Sequence, residues 1–217
     1  MGDGFLAIWS DIDPAAETDY LHWMTREHAI ERVGIPGFRA MRMFRALEVQ
    51  ARRYFILYEL ENAGVVGGPE YLARLNQPTP WSQRIMPQLR NFSRGGGRVA
   101  AGLGAGRGGF VAPLRIESVG AAAEIASMIA SQDRIASVGA LATDHAQTSI
   151  QTREKGMRSG DRSFDGLLLI EGLDVAAVRV AIELAATKLR IGGETDLTVY
   201  TTIFALDRAG IASVAQR

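Results

Sequence analysis

The sequence predicts an α+β protein made of two successive β-α-β-β-α-β cycles whose antiparallel sheets pack face to face as one sandwich barrel. Three observations point there. Strand-like and helix-like segments follow one another in the same order in each half of the 217 residues. Several strands are apolar on both faces: Phe55 and Leu57 alternate with Tyr54, Ile56 and Tyr58, where a sheet wetted on one side would carry polar residues. A glycine-dominated stretch, residues 95–109, lies between the halves and cannot hold a regular helix cheaply.

Residues 5–12 (FLAIWSDI) are short, apolar and β-favouring, which predicts a buried strand. Asp13-Pro14 then supplies an N-cap and a preset first helical turn. Helical spacing over 14–33 puts Tyr20, Trp23, Glu27 and Ile30 on one face, with Leu21, Met24 and His28 beside them, until Gly34 and Pro36 stop the helix. Strands are predicted at 38–47 and 52–61, close enough for an antiparallel connection. A loop at 64–68 leads to helical segments at 69–75 and 81–90, broken by Pro78 and Pro80, with Pro87 as a defect. A fourth strand opens near 89–93.

The second half repeats the order. It gives a strand at 109–118, a helix at 120–131 and a strand at 138–150, followed by a polar, flexible stretch at 151–165. A strand at 164–173 precedes a helix capped by Asp174 and running to Arg190, which Gly192-Gly193 ends. The last strand covers 195–206. The predicted organisation is a first module at 1–94, a Gly-rich linker at 95–108 and a second module at 109–217. Two ferredoxin-like sheets packed face to face satisfy this pattern.

Composition narrows the function. Twenty-four basic and 24 acidic residues give a net charge of zero, which argues against nucleic-acid binding and electrostatic membrane attachment. With no cysteine, disulfides, thiolate metal sites and cysteine nucleophiles are excluded. The first residues lack a basic n-region, and no apolar run approaches the roughly 20 residues that span a bilayer, so a cytoplasmic protein is expected.

The N-terminal half resembles the dimeric α+β-barrel superfamily, and within it the ethyl tert-butyl ether degradation (EthD)-like group. The resemblance rests on the opening strand with Trp9, on Tyr20-Leu21-His22-Trp23 and Glu27-His28, and on Ile35-Pro36-Gly37-Phe38 before an arginine-bearing strand. The tract 54–60 and Thr79-Pro80-Trp81 complete it. It implies ligands held between helices and sheet. Members include cofactor-free monooxygenases, lactone isomerases, haem-dependent enzymes and proteins without known activity. Two chains usually supply the two modules; here one chain carries both, so either a monomer or a homodimer is open.

His28 is the candidate general base, since an imidazole can take a proton from an acidic carbon or phenol near neutral pH. A structural histidine is the plainer role. Arg42 and Arg84 are candidates for binding a carboxylate or an enolate oxygen, although ion pairs, to Glu27, Glu31 or Glu59, are the commoner use of arginine. Trp9, Trp23, Tyr58 and Trp81 are candidates for an aromatic substrate pocket, against simple core packing. His22 and His28 are six residues apart and point to different sides of a helix, so no metal site is predicted. GAGRGG at 104–109 has the form GxGxxG but precedes a strand instead of opening a helix, which rejects a nucleotide site.

The leading expectation is an enzyme without a bound cofactor that acts by proton abstraction on a small hydrophobic or aromatic substrate, as in isomerisation or monooxygenation. The alternatives are a non-catalytic small-ligand-binding protein, and a haem protein with His145, expected on a strand, as axial ligand. Because aromatic residues and histidines concentrate in the first half, any site is expected there, with the second half acting mainly as the partner sheet.

Overall fold

The computed structural model describes residues 2–48, 53–158, 160–191 and 197–214. Strand β1 (Gly4–Asp11) leads into a short turn of helix whose first free N–H, on Ala15, is accepted by the Asp13 side chain at 2.9 Å. Helix α1 (Glu17–Trp23) continues through a π-helical turn (Met24–His28) into α2 (Ala29–Val33). Then come β2 (Phe38–Ala46), β3 (Tyr54–Leu60), α3 (Pro69–Asn76), α4 (Pro80–Ile85) and β4 (Arg90–Leu103). The second half holds β5 (Phe110–Ile116), α5 (Val119–Ala130), β6 (Ile135–Thr143), α6 (His145–Thr148), α7 (Arg153–Gly156), β7 (Gly166–Gly172), α8 (Val175–Leu189), β8 (Tyr200–Asp207) and α9 (Arg208–Val214). The expected start of the third strand at Arg52, the Gly192-Gly193 stop and the start of the last strand at Thr195 lie outside the described residues. No helix among the described residues is long and apolar enough to cross a membrane.

All eight strands close into one antiparallel barrel, in the order β1-β3-β2-β8-β5-β7-β6-β4. The first half contributes β4-β1-β3-β2 and the second β8-β5-β7-β6, so the strands take the same order within each half. The halves meet along β2–β8 and β4–β6. Alternation along each strand then explains the doubly apolar sequences. Phe5, Ala7, Trp9, Phe44, Phe55, Leu57, Leu167 and Leu169 point inward and fill the barrel. Leu6, Met41, Met43, Ile56 and Tyr58 point outward and are covered by α1 to α4, while Leu114, Ala140, Leu168 and Ile170 are covered by α5 and α8.

Two expectations need correction. Most of the predicted Gly-rich linker, residues 95–103, is the second part of β4, which pairs with β1 on one side and with β6 on the other. Glycine is needed there because the neighbours come too close for side chains. A Cβ at Gly95 would lie 2.5 Å from the Phe164 ring, and one at Gly97 would lie 2.1 Å from the Ala142 carbonyl oxygen. The strand predicted over 138–150 also ends early. Asp144 turns the chain by accepting the Gln147 N–H at 3.0 Å, and His145 therefore sits on the first turn of α6, not on a strand.

Candidate functional site

The π-helical turn sets the geometry of the outer face of the first half. In a regular α-helix Trp23 and His28 would be about 140° apart, at about 100° per residue. A π turn bonds i to i+5 and brings residues five apart into line. The rings of Trp23 and His28 accordingly pack together, with centroids 4.3 Å apart and planes tilted by 38°. The buried stripe becomes Tyr20, Trp23, Met24, His28, Ala29, Arg32 and Val33. This displaces the expected stripe: Ile30 is exposed and Glu27 only partly covered, where its carboxylate accepts the Thr79 hydroxyl at 2.6 Å.

Beneath this helix lies a cavity of about 40 Å³. Its floor is the outward face of β1, β3 and β4, through Ile8, Ser10, Ile56, Tyr58, Phe92 and Arg94. Trp23, His28 and Arg32 form the roof, and Tyr71 and Leu75 of α3 one wall. The remaining wall comes from the second half: Thr152, Glu154, Lys155 and Arg158 reach across the barrel seam. The expectation of a site confined to the first half is therefore corrected. The stretch read as polar and flexible folds here because the Thr152 side chain caps α7 and Glu154 forms a buried ion pair with Arg32.

Six buried side-chain polar atoms among the described residues have no hydrogen-bond partner, and three of them line this cavity: His28 Nδ1, Arg32 Nη1 and Tyr58 Oη. Burial holds the His28 imidazole well below its ordinary pKa, and the charges of Arg32 and Arg158 push the same way, so it is neutral at pH 7. Burial likewise pushes the Tyr58 hydroxyl upward and keeps it protonated. Such a group can donate but not readily ionise. Trp23 is fixed by its indole N–H, which donates to Ser82 Oγ of α4 at 3.1 Å.

The cavity shares Arg94, Lys155 and Arg158 with an outer cleft of about 580 Å³. Arg94 is buried and donates to Tyr71 Oη at 3.3 Å. Lys155 Nζ donates to the carbonyls of Thr148 and Ile150, and its pKa is pushed down to about 8, by burial first and then by Arg94. Arg158 lies 4.0 Å over the Phe92 ring and pairs with Asp161 at 3.0 Å.

Of the residues singled out from the sequence, His28, Trp23 and Tyr58 come together here. The others do not. Arg42 points into the barrel, where its two terminal nitrogens each lie 2.7 Å from Glu171 and its Nε lies 3.8 Å from Glu59. Its main partner is thus in the other half of the chain, while Glu59 was among the ion-pair partners expected from the sequence. Trp9 is also inside the barrel, against Phe55 and Phe164. Arg84 and Trp81 form a surface clasp, both donating to Asp19 and tying α4 to α1. His145 lies on the rim of the outer cleft with Nε2 2.9 Å from Asp165, an engagement that competes with an axial-ligand role. Arg32 was missed although it follows His28 by one helical turn, and that spacing was the available signal. Glu154, Lys155 and Arg158 had no such signal, because what brings their segment to the cavity is contact across the chain, as in Arg32–Glu154, 122 positions apart.

No family model and no curated protein sequence matches the chain. Solved structures do match in fold. An anthrone oxidase-like protein aligns over 94% of this chain and 92% of its own, with a TM-score of 0.62 at 11% identity. A proposed monooxygenase from Fusobacterium nucleatum subsp. nucleatum aligns over 95% of each chain, with a TM-score of 0.56 at 11% identity. Another from Lactobacillus acidophilus aligns over 95% of this chain and 97% of its own, with a TM-score of 0.54 at 7% identity. At these identities the likeness is one of fold alone, a closed antiparallel eight-stranded barrel with helices packed on its outer face.

Proposed function

We propose that this protein is a small-molecule enzyme of monooxygenase-like type that removes a proton from an acidic C–H or O–H group of an aromatic or otherwise hydrophobic substrate. The observation that carries the reading is the convergence of three unpartnered buried polar atoms, His28 Nδ1, Arg32 Nη1 and Tyr58 Oη, on one cavity. Leaving each unpaired costs about 1–3 kcal/mol, more where charge is involved, which supports a cavity that receives the polar end of a ligand.

In the proposed reaction neutral His28 accepts the proton, and Arg32 and the Tyr58 hydroxyl donate to the oxygen on which charge develops. The depressed basicity of His28 is offset as the reaction proceeds. Imidazolium and oxyanion form together, and the oxyanion cancels the repulsion from Arg32 that disfavours protonation. Trp23 packs in tilted contact with the imidazole and helps to hold its orientation. The inner cavity is small, so only the reacting end of a substrate would enter it, with the remainder in the outer cleft. The resulting carbanion or phenolate either takes a proton at another atom, which is isomerisation, or reacts with dioxygen.

The same reading treats the halves as two ferredoxin-like modules, with the EthD-like resemblance lying in the first. The boundary shifts, however, because β4 carries the first module through Leu103. The second module does more than complete the barrel, since it supplies the 152–158 wall.

Anthrone, whose benzylic C–H is acidic, is a suitable first substrate in air. Turnover by the wild-type protein is expected to drop about 100-fold or more in His28→Gln. Equal turnover in the two proteins would sink the general-base role. Binding of anthrone without any turnover would favour a ligand-binding protein.

A further inference from the structure

The neck between inner cavity and outer cleft has its own chemistry. Four cationic side chains, Arg32, Arg94, Lys155 and Arg158, line the inner cavity against one carboxylate, Glu154. Two are neutralised: Arg32 by Glu154 and Arg158 by Asp161. Among the described residues no carboxylate lies within ion-pairing distance of Arg94 or Lys155, yet Arg94 is only 6% exposed. A buried guanidinium without a counter-charge is costly and calls for an anion. Both cations lie where cavity and cleft join, beside the aromatic surfaces of Tyr71 and Phe92.

We infer that the ligand of this site is an aromatic or hydrophobic carboxylic acid, with its carboxylate at the neck on Arg94 and Lys155 and its apolar body against Tyr71 and Phe92. This inference rests on the small-molecule reading of the same cavity and adds the substrate class. The donor count favours a singly charged carboxylate over a phosphate dianion. Lys155 spends two of its three N–H donors on the Thr148 and Ile150 carbonyls, and Arg94 spends one on Tyr71. The remaining donors suit the two oxygens of a carboxylate better than the three of a phosphate.

Calorimetric titration with 2-naphthoate, 2-naphthamide and 2-naphthyl phosphate tests the inference. The acid is expected to bind at least tenfold more tightly than the amide, and more tightly than the phosphate. Arg94→Gln should remove that preference while leaving the amide's affinity unchanged. Because Arg94 also stacks on Tyr71, its replacement could impair folding, so Lys155→Met supplies a second variant expected to weaken the acid about tenfold. Equal binding of acid and amide, a preference for the phosphate, or acid binding untouched in both variants would overturn the inference. The two readings fail separately: absence of the acid's preference over the amide in the wild type overturns this inference, whereas unaltered anthrone turnover in His28→Gln overturns only the general-base role.

Discussion

Tyr58 and His28 make opposite demands on stability and function. The Tyr58 hydroxyl is buried with no partner, so Tyr58→Phe removes a desolvation cost without leaving a cavity. The variant is expected to unfold about 1–3 kcal/mol less readily in denaturant, while losing about 100-fold in turnover if the hydroxyl stabilises an oxyanion. For His28 the sign follows from its depressed pKa. The folded state refuses a proton that the unfolded state accepts below about 6.5, so stability is intact above that pH and falls as pH drops below it. His28→Gln should flatten the stability–pH curve there by up to about 1.4 kcal/mol per pH unit, as read from denaturation midpoints between pH 7 and 5. An unchanged slope would mean that His28 is solvated. At this scale the sequence was informative only in part. Trp23, His28 and Tyr58 were legible because they lie on recognisable local elements. Arg42 was not, because its partner Glu171 is 129 residues away and on the other side of the barrel.

Among the elements, the first helix owes its buried face to an irregularity. The buried positions run 23/24, then 28/29, then 32/33, a five-residue step between two helical faces. Spacing rules assume steps of three and four, which is why Ile30 and Glu27 were placed on the buried face. Arg26 is exposed within the π turn. Deleting it should restore a continuous α-helix while keeping both buried faces in register, so that the melting temperature changes by no more than a few degrees. His28 would move along the helix by about 1.5 Å and lose its alignment with Tyr58, and turnover should fall at least tenfold. Retained turnover would show that the π turn is incidental. Strand β4 carries the complementary lesson. Glycine clusters read as linkers because glycine loses most conformational freedom on ordering, but close approach of neighbouring strands can require them.

Across the whole molecule, Arg42 and Glu171 tie the two halves through the barrel interior. Such a pair is weak evidence of net stabilisation, but removing one member leaves an uncompensated buried charge. Arg42→Met is expected to cost about 3–5 kcal/mol in chemical denaturation. The double variant Arg42→Met/Glu171→Gln should recover much of that, because Gln can still accept the Gly108 N–H that Glu171 now binds at 3.0 Å. Equal stability of single and double variants would show that the pair is not coupled. The α+β class and the repeated order of elements were legible from periodicity and from strands apolar on both faces. A barrel closed by the second sheet was expected too; which strands join the halves was not legible, since the β2–β8 and β4–β6 pairings connect distant segments.

That closure has a consequence for synthesis. Strand β8 pairs with β2 from Ala40 to Ala46, but meets β5 only at Phe110 and Val111 among the described residues. Completing the ring thus requires an early strand, β2, to join β8, the last strand among the described residues. Until β8 emerges from the ribosome, β2 presents a row of unpaired backbone groups flanked by Met41, Met43 and Phe44, a template for strand addition by another nascent chain. The finished protein hides that row, whereas a chain that lost β8 would carry it permanently exposed and would be prone to aggregate.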